Sequence, residues 1–179
     1  MTHFSIGFEK HKEGADDHRL GRIAFGDMDE RFSSCLSLFS ENRYELQWFS
    51  AVQLTVHSRS PTCLFYSIEV DENPLGIAKY YTLIPSEQAR GSTRYDNNSE
   101  GVYLTESFRT IAFDPKYLTD FQVYIDENGC VYDKIAIYYF DPDNIEIFYL
   151  YLDTCISNVS NWYINNSALF EWLASKGRN

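Results

Sequence analysis

The sequence predicts an α+β fold: a mainly antiparallel β-sheet with an N-terminal two-helix unit packed on it and a short C-terminal helix, all in one domain over residues 1–179. Three observations predict it. Apolar residues recur at helical spacing between Asp27 and about His57, then alternate with polar ones from Leu64 onward. Hairpin-closing residues, Asn128-Gly129 above all, separate the alternating runs. A chain of 179 residues with 44% hydrophobic content fills one core and is short for two.

Two short runs, Phe4 to Phe8 and Leu20 to Phe25, read as strands on either side of a charged loop. Asp27 before Met28, with Glu30 three residues on, has the form of a capping box, in which the Asp side chain caps a helix and Glu30 reaches back to its amide. Met28, Phe32, Cys35, Leu36 and Phe39 continue at helical spacing, so the first helix is expected from Asp27 to about Ser40. Ser40 then caps a second helix from Glu41 to His57, with Tyr44, Trp48, Ala51, Val52 and Thr55 as its apolar stripe. So short a break implies an αα-hairpin.

Strand character follows. Leu64 to Val70 alternates, residues 71–76 turn, and Ile77 to Ile84 returns until Pro85. Ser86 to Glu100 is a polar, aperiodic loop long enough to suggest function. Val102 to Phe113 gives another strand, or two with a bend. Phe121 to Asp126, Val131 to Phe140 and Ile145 to Asp153 form a meander, turned by Asn128-Gly129 and by Asp141-Pro142-Asp143-Asn144. A polar stretch, Thr154 to Asn166, leads to a C-terminal helix from Ser167 with Leu169, Trp172 and Leu173 inward, ended by Gly177.

Charge is the strongest clue to function. The chain carries −11, and residues 110–153 hold Asp114, Asp120, Asp126, Glu127, Asp133, Asp141, Asp143, Glu146 and Asp153 against only Lys116 and Lys134. The same segment holds half of the fourteen tyrosines. Such a field attracts a basic partner and repels nucleic acid and anionic membrane. Tyrosines among those acids supply the aromatic anchors typical of interface hot spots. The plainer alternative is a solvated sheet face kept soluble by its charge.

Signatures of catalysis do not emerge. The histidines are His3, His11, His18 and His57, without the i, i+4 spacing of a helical metal site. No G-x-S-x-G, phosphate loop or dinucleotide fingerprint occurs. The 141–144 turn lacks the glycine and distal glutamate of a calcium loop. Cys35, Cys63, Cys130 and Cys155 are too scattered for a zinc site and read as small buried thiols. No cofactor, no metal and no enzymatic activity are therefore expected. No run reaches the roughly 18 to 20 apolar residues of a membrane helix. The first nine residues lack the basic start and apolar core of a signal peptide, so the expected site of action is the cytoplasm.

From Gly21 to Val52 the sequence carries Gly21-Arg22-Ile23, Gly26-Asp27-Met28-Asp29-Glu30-Arg31-Phe32, Leu36-Ser37-Leu38-Phe39-Ser40, Tyr44-Glu45-Leu46-Gln47-Trp48 and Ala51. In this stretch it resembles immunity proteins of bacterial contact-dependent growth inhibition systems, with their I-x-x-G-D-x-x-E-x-F run and Y-E-x-Q-W box. The resemblance covers Phe4 to about Ser58. It implies a non-enzymatic protein that binds one cognate toxin domain, in many cases a nuclease, inside the producing cell. The residues that carry it look structural; they do not look like partner contacts.

The expected reading is thus a cytoplasmic immunity protein for a basic toxin domain, with neither nucleic acid nor membrane as partner. Its expected contact residues are Asp71, Glu72, Tyr124, Asp126, Glu127, Tyr132, Asp141, Asp143 and Glu146, with the Ser86 to Glu100 loop as the other docking place. A small acidic hydrolase, or an acidic adaptor, is the alternative.

Overall fold

The computed structural model describes residues 3–10, 17–37, 39–70, 75–89, 100–112, 124–125, 131–139, 147–153 and 161–177; for 70, 75–78, 107–112, 124–125, 131–139, 147–153 and 161 it describes the backbone course. Among them lie ten strands and two helices: β1 Phe4–Phe8, β2 His18–Phe25, β3 Met28–Cys35, α1 Glu41–Ser58, β4 Thr62–Val70, β5 Leu75–Pro85, β6 Gly101–Ala112, β7 Tyr124–Ile125, β8 Val131–Tyr139, β9 Ile147–Asp153, β10 Asn161–Asn165 and α2 Asn166–Lys176. The class is α+β, and every strand pair is antiparallel. The strands form three sheets, ordered β1-β2-β3, β10-β6-β5-β4 and β7-β8-β9.

The expected two-helix unit is corrected. Its first helix, Asp27 to Ser40, is instead a hairpin turn followed by β3, and the two helices stand in mid-chain and at the C-terminal end. Phe25 pairs with Met28, leaving Gly26 and Asp27 as a two-residue turn. Gly26 has φ 55°, the positive value that the first central position of a II′ turn requires. Asp27 therefore caps no helix; it sits in the turn. Gly26→Ala is expected to cost about 1 to 2 kcal/mol, the penalty for a side chain in the left-handed region, and denaturant unfolding measures it.

The misreading has a geometric cause. Met28 and Phe32 are four residues apart, which is about one helical turn and also two full strand repeats. Both are buried, as are Phe4, Ile6, Ile23 and Phe25 on the neighbouring strands. Gly21 lies opposite Phe32 in the β2–β3 register, and the Phe32 ring occupies the space that a Cβ at Gly21 would need.

The second helix stands where the sequence places it. Ser40 is its N-cap by backbone alone: its side chain makes no capping bond, while its carbonyl accepts from the amides of Arg43 and Tyr44. Tyr44, Trp48, Ala51, Val52 and Thr55 are all buried.

What α1 covers is the edge of β4, which among the described strands has β5 on one side only. Gln47 Nε2 donates to the Cys63 carbonyl (2.7 Å), and its Oε1 accepts from Phe65 N (3.0 Å). Trp48 Nε1 donates to the Phe65 carbonyl (2.5 Å), and Ile68 N donates to the Tyr44 hydroxyl (2.9 Å). A buried open edge leaves backbone groups without partners, and these side chains complete the ladder. The pairing of β4 with β5 shifts between Phe65 and Ser67, so Tyr66 is a bulge residue. The outward backbone groups change accordingly from odd to even positions.

The edges of β3 and β4 are joined by two hydroxyls. Tyr44 donates to the Cys35 carbonyl (2.9 Å), and Cys35 N donates to Ser67 Oγ (3.1 Å). The two sheets, α1 and α2 share one buried cluster in which Trp48, Phe32, Leu64, Leu104, Ile164 and Leu169 take part.

One further departure is local. Asn161–Asn165, within the stretch expected to be polar coil, pairs with β6 as β10. Arg59 ends α1 in the left-handed region (φ 51°). Its guanidinium donates to both Glu87 oxygens, to Asn166 Oδ1 and to the Gly101 carbonyl, which ties the end of α1 to the starts of β6 and α2. The Asn165 side chain caps α2 by accepting from Ser167 N (2.9 Å). Leu169 and Trp172 are buried, as expected of the last helix.

Candidate functional site

The acidic meander forms in the expected order: β7, β8 and β9 are antiparallel neighbours. Tyr124 of β7 lies opposite Tyr132 of β8, and Tyr132 also lies opposite Asp153 of β9. The structure thus brings two of the nine expected contact residues to adjacent positions. Asp71, Glu72, Asp126, Glu127, Asp141, Asp143 and Glu146 lie outside the described residues.

A second acidic and aromatic group escaped the sequence reading. Glu30 shares the inward side of β3 with Met28 and Phe32, so a carboxylate stands at the margin of an apolar face. Tyr81 donates its hydroxyl to Glu30 (3.2 Å), and Tyr66 donates to Glu106 (2.8 Å). The Tyr66 and Tyr81 rings lie 5.1 Å apart, and Tyr66 also meets Phe32 at 5.4 Å. Both tyrosines are buried, whereas Glu30 is half-buried and Glu106 exposed. β3, β4, β5 and β6 each contribute one residue. Alongside, Lys79 donates to Glu69 (2.7 Å), which also accepts from Ser67.

The chemistry of this group follows from its donors. Each tyrosine hydroxyl spends its proton on a carboxylate, and each carboxylate retains acceptor sites for a basic side chain. Glu69 is held below the usual carboxylate range, chiefly by the hydrogen bond from Lys79. Among the described residues no group of three or more His, Cys, Asp or Glu side chains is placed to hold a metal. Cys35 and Cys63 are both buried.

Burial, above all, pushes the hydroxyls of Tyr44, Tyr66 and Tyr81 well above the ordinary tyrosine value; the bond to Glu106 adds to this for Tyr66, and the charges of Glu106 and Glu30 add to it for Tyr81. A raised pKa in the folded state gives stability that is fully present below the unfolded value, about 10, and lost as pH rises above it. The melting temperature is therefore expected to hold to about pH 10 and then fall steeply. Tyrosinate absorbance of these three rings should appear only with unfolding. Ionisation of all fourteen tyrosines in the still-folded protein contradicts the burial.

No protein-family model matches the chain, and no curated protein matches it in sequence. In fold it is similar to a chain of a CdiA-CT/CdiI toxin and immunity complex from Enterobacter cloacae. The TM-score is 0.53 at 14% identity, over 98% of this chain and 99% of that one. The likeness is one of fold.

Proposed function

We propose that this protein is an immunity protein, acting in the cytoplasm, that binds a cognate basic toxin domain and neutralises it without catalysis. The observation that carries the reading is the fold likeness to a chain of a toxin and immunity complex over nearly the whole of both chains. Two features favour the immunity component over the toxin. Residues 4–58 resemble immunity proteins of contact-dependent growth inhibition. The net charge of −11 also suits a protein that captures a cationic partner. A nuclease toxin fits that charge, because its substrate is itself a polyanion and carboxylates then stand where phosphates would. No helix among the described residues is long and apolar enough to cross a membrane.

Co-expression with the toxin domain encoded immediately upstream tests the proposal. The expected result is restored growth together with co-purification of the two chains. Unprotected cells containing the folded protein overturn it. Protection without a stable complex favours the acidic hydrolase instead.

The toxin-facing surface is proposed to lie on the meander acids, with Tyr124 and Tyr132 as anchors and with Asp71, Glu72 and Glu146 contributing. Rim charges mainly set association rate and its salt dependence, whereas a desolvated pair is worth about 2 to 5 kcal/mol when one member is removed. Reversing Asp126 and Glu127 to Lys, and separately Asp141 and Asp143, is expected to weaken binding, at least one of the pairs by more than about tenfold, which is about 1.4 kcal/mol. Normal binding by both double variants at physiological salt moves the contact elsewhere.

A further inference from the structure

We draw no further inference here: the strongest candidate outside the surfaces already described, the exposed apolar side chains Leu46, Leu54 and Phe170 on α1 and α2, carries nothing because nothing in the structure shows what covers them.

Discussion

Replacing Trp48 by alanine is expected to destabilise the protein by about 3 to 5 kcal/mol, the usual cost of truncating a large buried aromatic side chain. The indole is 1% exposed and meets the rings of Phe8, Phe32 and Tyr44 at centroid distances of 5.1, 5.8 and 6.3 Å. Those partners come from β1, β3 and α1, so the cavity would open where the first sheet meets the helix. The substitution also removes the donor to the Phe65 carbonyl. Against a total of about 5 to 15 kcal/mol for an ordinary domain, such a loss leaves a marginal fold. Chemical denaturation of the variant checks this. Trp48→Phe, which keeps most of the ring contact but loses the N–H, should fall between the variant and the parent. A Trp48→Ala protein that unfolds at the parental denaturant concentration refutes the packing.

Gln47→Leu should be nearly as damaging, although it replaces a polar residue in a core with an apolar one of similar size. Gln47 is 0% exposed, and both ends of its amide are used on the edge of β4. Leucine would take these two hydrogen bonds away from the buried Cys63 carbonyl and Phe65 amide. Each such group costs about 1 to 3 kcal/mol, so a loss of roughly 2 to 5 kcal/mol is expected. Hydrogen exchange adds a sharper readout, because the Phe65 amide should lose protection out of proportion to its neighbours. A neutral or stabilising Gln47→Leu means the edge is satisfied in another way. Binding to the proposed toxin partner should be unchanged in both variants at temperatures where they are folded, since neither side chain reaches the surface.

These two residues explain why the Y-E-x-Q-W stretch has the residue types it has. Tyr44, Gln47 and Trp48 lie at i, i+3 and i+4, on one side of a helix. Each has an apolar body and a polar group able to meet a strand's backbone. The neighbours between them, Glu45 and Leu46, point outward and are exposed. The sequence identified the face correctly as apolar; it gave no sign that the same face closes the edge of a sheet.

The sequence by itself determined whatever depends on short-range pattern. Helix α1 was legible because its apolar stripe runs from Tyr44 to Thr55, about three turns, where only one period fits. The meander was legible because alternating runs and Asn128-Gly129 agree. The C-terminal helix announced itself by Leu169, Trp172 and Gly177. The first helix failed because Met28 and Phe32 fit a period of 2 as well as one of 3.6, while Leu36 and Phe39, which carried the helical spacing on, lie beyond the end of β3. Gly26-Asp27, a two-residue turn between alternating runs, was the local signal that favoured strand. Tertiary structure alone decided the rest. Asn161–Asn165 is a strand because β6 offers it an edge, and nothing in five residues ending in Asn encodes that partner. Glu30, Tyr66, Tyr81 and Glu106 meet across 76 residues of sequence because a bulge in β4 and the register of three strand pairs bring them together. Pairing between distant strands is fixed by packing the whole core at once, so a cluster built on it leaves no trace in any single segment.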